Sequence, residues 1–273
     1  MSERMRAALL SALLLIFVCT AWELGSRAAS PAASSGAGAA LATSAQVARL
    51  PRPSEIAVFA AEQLSDPFYD RGTNDKGIGV QLAFSLLRVL TGYLLAVAIA
   101  VPLGFVIGMS KLLLAALDPF IQVLRPISPL AWMPLALFVI RDSALSSIFV
   151  IFVCSLWPTL INTAFGVAAV HRDYINVART LELSPLRAAL TVILPAAAPT
   201  ILTGMRISIG ISWLVIVAAE MLVGGTGIGY YVWNEWNNLD LNAVVFSVLM
   251  IGLVGMALDR LLALAMRLVA YDQ

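Results

Sequence analysis

Long apolar runs separated by short polar segments make up most of the chain. Five runs are long enough to cross a bilayer as helices of about 20 residues, at residues 82–109, 120–140, 145–170, 196–222 and 243–265. A further apolar run lies within residues 1–22. The pattern predicts an all-α, polytopic membrane protein with six transmembrane helices.

The first run follows Arg4 and Arg6, which is typical of an N-terminal helix that inserts into a membrane. Two interpretations stay open. The run is an uncleaved signal-anchor, which the later spans favour, or a secretory signal removed at the small residues Ala28-Ala29-Ser30.

An external loop is predicted at residues 23–77. Its first part, residues 26–43, is rich in Ala, Ser and Gly and is typical of a flexible tether. Residues 53–64 carry Ile56 and Phe59 at helical spacing. They predict an amphipathic helix, either at the membrane surface or as an ordinary loop helix.

Three prolines interrupt the third membrane-length run: Pro126, Pro129 and Pro134. Each removes a backbone donor, which membrane helices tolerate where the backbone is buried in protein or lines a wet cavity. A kinked, interior-facing helix is therefore predicted at residues 120–140, after a short polar turn marked by Lys111 and Asp118.

Positive charge is distributed unevenly between the connecting segments, which predicts orientation. The two short loops expected outside hold only Arg141. The long first external loop is mixed, with five basic and six acidic residues, and the segments expected inside hold Arg4, Arg6, Lys111, Arg172, Arg179, Arg187, Arg260 and Arg267. Both termini are therefore expected in the cytoplasm, together with the connector at residues 171–195.

The composition argues against several kinds of function. The chain is 60% apolar and 12% charged with a net charge of +1, so no basic surface indicates nucleic acid as a partner. Cys19 and Cys154 lie far apart in apolar runs and are expected to be free thiols, and no spacing predicts a metal site. His171 has no catalytic partner in view, so it is expected to be a loop residue.

The connector at residues 171–195 combines charges with a leucine-rich face. It is predicted to form a short amphipathic helix, a break at Ser184-Pro185, a second helix and a closing Pro195. Such a polar connector between two spans indicates a segment that another protein binds in the cytoplasm.

This connector resembles the coupling loop of ATP-binding-cassette (ABC) importer permeases. That loop typically reads Glu-Ala-Ala, three residues, Gly, nine residues, Ile, one residue, Leu-Pro. With its last residue placed on Pro195, the preceding Leu falls on Leu194 and the third position on Ala178, and both match. The sequence departs from the pattern at Asn176, in place of Glu, and at Glu182, in place of Gly.

Other segments are similar to the nitrate/sulfonate/taurine/bicarbonate group of these permeases, and the resemblance extends over roughly residues 50–270. The segments that carry it are 50–70, 124–134, 155–163 and 204–222, with 149–163 and 213–222 most like the nitrate branch.

The resemblance implies a type I ABC importer permease fold over residues 78–270, in a bacterial inner membrane and in contact with its lipid. It implies no ATPase and no cofactor in this chain, ATP and Mg bound by partner subunits, an external substrate-binding protein, and a permease homodimer. The residues expected to couple to the ATPase are Asn176, Ala178, Arg179, Leu181, Glu182, Leu183, Ser184, Pro185, Arg187 and Pro195.

The function expected from the resemblance is ATP-driven import of a small oxyanion, nitrate or nitrite first, with taurine or other alkanesulfonates, or bicarbonate, as alternatives. Two other classes of membrane protein are alternatives to this function. An intramembrane enzyme lacks a Ser/His, paired Asp or metal constellation in any span. An ion-driven secondary transporter usually carries membrane-embedded acids, and Glu220 is the candidate here.

Two polar stripes run along the fourth and fifth spans, every three or four residues. They consist of Ser155, Thr159, Asn162 and Gly166, and of Thr200, Gly204, Ser208 and Ser212. Each stripe is interpreted either as small-residue helix packing, like the Gly104/Gly108 pair of the second span, or as the lining of a path. With two charged residues, the candidate translocation path is Ser155, Thr159, Asn162, Arg206, Ser208, Ser212 and Glu220.

The two charges on the fifth span have different expected roles. Arg206 either bonds locally and reaches the membrane surface or attracts the anion, whereas Glu220 is expected near the external interface. The following run at 224–229 is glycine-rich but lacks the lysine of a phosphate loop, so a flexible external turn is predicted. Trp233 and Trp236 after it fit the interfacial aromatic belt.

Overall fold

A computed structural model describes residues 3–28, 50–72 and 74–269. Its regular structure there is helical, apart from one bridge between Asp70 and Lys76. The helices are α1 (Glu3–Ala28), α2 (Pro53–Ser65), α3 (Ile78–Met109), α4 (Lys111–Leu124), α5 (Pro129–Ile140), α6 (Ser143–Ala168), α7 (Arg172–Thr180), α8 (Pro185–Ala188), α9 (Leu194–Val223), α10 (Ile228–Asn237) and α11 (Leu241–Val269), with a π-helical turn at Ala189–Ile193.

Five stretches of helix are long and apolar enough to span a membrane, and α4 with α5 makes a sixth if that bent pair counts as one span. The all-α, multi-span architecture is as the apolar pattern predicts. The first of them, α1, reaches Ala28, beyond the predicted end at residue 22. Most of the tether at residues 26–43, and the proposed cleavage after Ala28, lie outside the described residues.

The centre of the bundle is a close pack of α3, α6 and α9. Glycines allow the helices to approach, because a Cβ on Gly104 would lie 2.7 Å from the Leu160 carbonyl oxygen and one on Gly108 would lie 2.5 Å from that of Ala164. The packing role predicted for this glycine pair is confirmed. Small residues at such crossings let backbones meet where lipid provides no hydrophobic drive for helix association.

The third membrane-length run differs from its prediction in two ways. The expected polar turn at Lys111 and Asp118 is wrong, because the Ser110 hydroxyl accepts the Leu113 N–H at 3.3 Å and caps a helix that contains both residues. The expected kink is an 89° bend between α4 and α5. It is favoured by the prolines at 126 and 129, since proline ends a preceding helix and is well suited to start the next. The described α5 has buried residues and α4 has none, so the interior-facing prediction holds for α5 alone.

The amphipathic helix predicted at residues 53–64 is present as α2, and its apolar face meets protein. Ile56 is buried, and the Phe59 ring packs edge-on against Phe246 of α11 with centroids 5.7 Å apart. The apolar face of α2, which was predicted to lie on the membrane surface or in a loop, therefore packs against α11. After α2, Lys76 lies 3.0 Å from the Asp70 carboxylate and holds the pKa of that group below its ordinary value.

Candidate functional site

The connector begins with α7, whose exposed and buried faces differ from the expected ones. Ala178, expected to meet an ATPase, is buried against this chain. Leu181 is 65% exposed, as a docking residue requires, and Tyr174 and Val177 are exposed on the same side. Because positions 174, 177 and 181 share a helix face, the exposed apolar patch consists of Tyr174, Val177 and Leu181. Leu186, 70% exposed, lies just beyond the break. The sequence analysis did not predict Tyr174, Val177 or Leu186, although helical periodicity relates Tyr174 and Val177 to Leu181.

The turn after α7 keeps a glycine-like conformation without glycine. Glu182, which stands at the Gly position of the resembled loop, has a φ of 49° in the left-handed region. The Leu183 N–H donates to the Ala178 carbonyl at 3.1 Å and the Glu182 N–H donates to the Arg179 carbonyl at 3.0 Å. This is a helix-ending motif that usually places Gly at the left-handed residue. The departure in sequence at Glu182 therefore leaves the turn in place.

The second half of the connector is not a separate helix closed by Pro195. The Ser184 hydroxyl caps α8 by accepting the Arg187 N–H at 3.4 Å. From Pro185 the chain runs through α8, the π turn and α9 to Val223, as 39 residues of helix. Pro195 and Pro199 remove backbone donors near the start of α9, and a π turn is a common local adjustment in such a helix. Pro195 thus lies within a continuous helix, which corrects the predicted boundary.

The two polar stripes face each other across the contact between α6 and α9. The Ser208 hydroxyl donates to the Ser155 carbonyl at 2.5 Å, and the Ser155 and Ser212 hydroxyls are 2.5 Å apart. A Cβ on Gly204 would lie within 3.0 Å of the Pro158 carbonyl oxygen. Four residues of the candidate path have no exposed surface in this chain: Ser155, Thr159, Ser208 and Ser212. Their position is that of helix packing.

Asn162 differs from its neighbours in the stripe because it borders open space. It lines a cavity of about 260 Å³ between the α4–α5 bend and helices α6 and α9. Arg125, Trp132 and Trp157 line the same cavity. A second cavity, of about 580 Å³, lies on the other side of Arg125 and contains Asp118.

Arg206 is paired in the structure. Its guanidinium donates two hydrogen bonds to the Asp259 carboxylate of α11, each 2.6 Å long. The pair is partly exposed on the bundle surface, and the arginine charge is balanced there. This geometry corresponds to local bonding rather than to a free charge that attracts an anion. Asp259 is an acidic residue within the apolar run of the last span, and this was the available sign in the sequence of a partner for Arg206.

Glu220 is 1% exposed and lies inside the bundle. The Arg88 guanidinium of α3 donates to its carboxylate at 2.7 Å and to the Thr226 carbonyl at 2.7 Å. The Ser85 hydroxyl donates to the carboxylate at 2.8 Å, and the Gly229 N–H does so at 3.0 Å. The sequence analysis considered Glu220 alone, so its pairing with Arg88 was not predicted.

The glycine-rich loop after α9 is hydrogen-bonded to this buried network at its Gly227–Gly229 end. The Gly227 N–H donates to Gln81 at 2.7 Å and the Ile228 N–H to the Ser85 hydroxyl at 2.9 Å. A Cβ on Gly227 would overlap the Glu220 carboxylate, and Gly227 has a φ of 159°. Glycine is needed here because the backbone passes directly over a buried side chain. Trp233 and Trp236 in α10 are exposed, as the belt prediction expects.

His171 caps α7, with its Nδ1 atom 3.1 Å from the Asp173 carboxylate, and both side chains are exposed. Among the described residues, no group of three or more His, Cys, Asp or Glu side chains is placed to hold a metal ion. Cys19 and Cys154 are free thiols. The residues that stand out are therefore the connector, the Arg88–Glu220 network and the cavity at the α4–α5 bend.

A protein-family model described as "Binding-protein-dependent transport system inner membrane component" matches residues 100–270. The nitrate import permease protein NrtB of Synechocystis sp. is 44% identical over 220 residues, covering 81% of this chain and 80% of that protein. NrtB of Leptolyngbya laminosa is 47% identical over 223 residues, with the same coverage. The bicarbonate transport system permease protein CmpB of Synechocystis sp. is 42% identical over 236 residues, covering 85% of this chain and 84% of that protein.

The fold is also that of solved ABC importer permeases. A chain of the MetNI methionine ABC transporter in an inward-facing conformation superposes with a TM-score of 0.56 at 16% identity, covering 69% of this chain and 94% of that one. The all-α permease fold expected from the sequence is confirmed. With the family match and the long, similar relatives, the chain belongs to the family of inner-membrane components of binding-protein-dependent transport systems.

Proposed function

We propose that this chain is the membrane-spanning subunit of an ATP-driven importer that carries nitrate, or the similar anion nitrite. The observation that supports this cargo is the 44–47% identity to three nitrate import permeases over 81% of the chain. Bicarbonate is the second candidate, because CmpB proteins are 42–43% identical over a similar length. Nitrate and bicarbonate are both small, planar and singly charged, so one permease design suits either.

ATP hydrolysis belongs to partner subunits in this proposal. The connector supports it, since an apolar patch of Tyr174, Val177 and Leu181 is exposed on a polar segment. An apolar helix face of this kind is the usual anchor of helix-in-groove docking. The charges Arg179 and Glu182 lie beside the patch and fit the rim of such an interface.

A second copy of this permease and an external substrate-binding protein complete the proposed assembly. The bent pair α4–α5 has large apolar side chains that are mostly exposed, among them Phe120, Val123 and Phe138. Lipid covers part of such a surface, and a second permease covers the remainder. Alternating access then follows from movement of the two copies against each other.

An ion-driven mechanism has less support. Glu220, the acid that the sequence offered for ion coupling, is bonded to Arg88, Ser85 and Gly229 and is buried. An acid that carries a proton or Na⁺ through an access cycle needs contact with water on either side. The structure gives Glu220 the environment of a structural ion pair instead.

The test is uptake of labelled nitrate by cells that lack this gene and by the same cells carrying it. We expect uptake only with the gene present, competition by nitrite, and loss of uptake when ATP is depleted while the ion gradient is preserved. Competition by bicarbonate at similar concentration would assign the second cargo. Uptake that survives ATP depletion and stops when the gradient collapses would overturn the proposal.

A further inference from the structure

The cavity at the α4–α5 bend is apolar except for a few polar side chains. Its walls are mostly apolar, formed by side chains such as Ile127, Val153 and Ile211. Its side-chain nitrogen groups belong to Arg125, Trp132, Trp157 and Asn162, and no carboxylate is among the residues that line it. An apolar cavity with a few converging polar groups is the usual form of a small-ligand site.

Two of these donors have unused bonding capacity. The Trp157 indole N–H is buried and has no hydrogen-bond partner in the described structure. The Asn162 amide donates one hydrogen to the Pro158 carbonyl at 2.7 Å, and no second bond from this amide is found within the described ranges. Buried donors without a partner are uncommon in folded proteins, and the Ser146 and Thr159 hydroxyls are further cases in this chain.

Arg125 supplies the charge. It lies in the non-helical bend between Leu124 and Pro129, and its guanidinium makes no ion pair with any described residue. Two other arginines of the predicted spans, Arg88 and Arg206, are paired with carboxylates. Arginine suits oxyanions because its planar fork of N–H groups matches their oxygens.

The bend also supplies irregular backbone beside the cavity. The interrupted segment falls midway between the start of α4 at Lys111 and the end of α5 at Ile140. Discontinuous helices near the middle of the membrane are where transporters commonly bind their cargo, because irregular backbone is tolerated where it lines a cavity. A volume of about 260 Å³ is several times the ~30 Å³ share of one water, so a four-atom anion fits together with some of its hydration.

We infer that this cavity is a transient binding site for a small oxyanion, with the Arg125 guanidinium as its charge and the Trp157 and Asn162 N–H groups as its donors. The inference rests on the proposed function for the identity of the cargo. Nitrate accepts hydrogen bonds and donates none, which suits a site with several N–H donors and no carboxylate. One full charge among neutral donors gives modest affinity, which lets the anion leave as well as enter.

The second cavity indicates on which side of Arg125 the anion binds. Asp118 and Gln122 line it beside Arg125, and the Gln122 amide donates to the Asp118 carboxylate at 2.5 Å. A carboxylate disfavours an anion in its surroundings. The bound anion therefore lies on the Trp157 side of Arg125.

The test uses the whole transporter, reconstituted in proteoliposomes with its ATP-binding subunits and substrate-binding protein. Trp157→Phe removes the N–H and keeps an aromatic ring, and Arg125→Gln removes the charge. Arg125→Lys keeps the charge without the fork, and Trp233→Phe is the matched control at an exposed indole outside the cavity. Co-purification of the ATP-binding subunits reports whether each variant assembles.

We expect Trp157→Phe to lower the maximum rate of nitrate uptake roughly tenfold, about the effect of one hydrogen bond to a charged group. Arg125→Gln lowers it more, Arg125→Lys less, and Trp233→Phe transports normally. The half-saturating nitrate concentration stays constant, because the external protein captures the anion first. Wild-type rates in both Trp157→Phe and Arg125→Gln would overturn the site.

A failure of the proposed function would give a different experimental result from a failure of the site. If the wild-type transporter imports neither nitrate nor bicarbonate, the proposed cargo is wrong. Binding of labelled nitrate to the purified permease–ATPase complex then tests the cavity alone. Binding that is lost in Arg125→Gln supports an oxyanion site, and no binding in the wild type removes it.

Discussion

The ion pair between Arg88 and Glu220 joins α3 to α9 inside the bundle, and replacing Arg88 by Met isolates the carboxylate. Glu220 would keep its bonds from Ser85 and Gly229, but it would lose the only positive charge bonded to it at 2.7 Å among the described residues. Removing one partner of a buried pair typically costs about 3–5 kcal/mol. Because the Arg88 side chain is 14% exposed, some solvent screening applies, and we expect the lower end, about 3 kcal/mol.

The measurement is the thermal midpoint of the purified permease–ATPase complex. One kcal/mol shifts the midpoint of a domain of this size by about 2–4 °C, so Arg88→Met should lower it by about 6–12 °C. Glu220→Gln in the Arg88→Met background removes the isolated charge and keeps most hydrogen bonds. We therefore expect the double variant to be more stable than Arg88→Met alone. Arg260→Met, at an exposed arginine, is the control and should leave the midpoint unchanged.

Strictly additive effects of the two substitutions would refute the reasoning, because they would show that the two charges do not interact. A midpoint for Arg88→Met equal to that of Arg260→Met would refute it as well. In either case the glycine-rich loop would have to be held by its bonds to Gln81 and Ser85, without help from the ion pair.

The remaining predictions concern the connector, the cavity and the topology. Leu181→Asp should abolish uptake and substrate-stimulated ATPase activity while membrane insertion stays normal, since a buried docking anchor is worth about 1–3 kcal/mol; normal transport would show that the connector does not couple. Asn162→Leu should impair uptake but leave the complex intact in gel filtration, whereas dissociation would indicate a packing role. Glu182→Gly should raise the thermal midpoint slightly by removing about 1 kcal/mol of left-handed strain, and no change or a decrease would contradict this. A reporter fused after Gly38 should be external and one at Ser184 internal, and the reverse would overturn the assigned orientation.

Most of the helical architecture could be predicted from the sequence because apolar length is a strong signal in membrane proteins. The bend between α4 and α5 could be predicted only in part. Pro126 and Pro129 indicate a break in the helix, but its 89° angle depends on how α5 packs on α6. The boundary at Pro195 was misplaced for a related reason. Proline is tolerated near the start of a helix, so it marks a beginning as readily as an end.

The candidate sites show where periodicity stops being informative. Helical spacing places Ala178 and Leu181 near one face, but which side meets the chain itself depends on the fold, and Ala178 is the buried one. Arg88 and Glu220 are 132 positions apart, and opposite charges at matching membrane depth were the available sign of their pairing. The unused Trp157 N–H has no signature in sequence, because it depends on the absence of a neighbour.

The helical run from Pro185 to Val223 joins the connector at one end to the Arg88–Glu220 network near the other. Pro185 and Glu220 are 35 positions apart, which is about 52 Å at 1.5 Å per residue. A tilt of about 5° around its midpoint would move each end by about 2 Å. That displacement is close to the 2.7 Å length of the Arg88–Glu220 hydrogen bond. A tilt of this size, if a docked partner produced it at the connector, would strain the bonds that hold the glycine-rich loop near the other end of the helix.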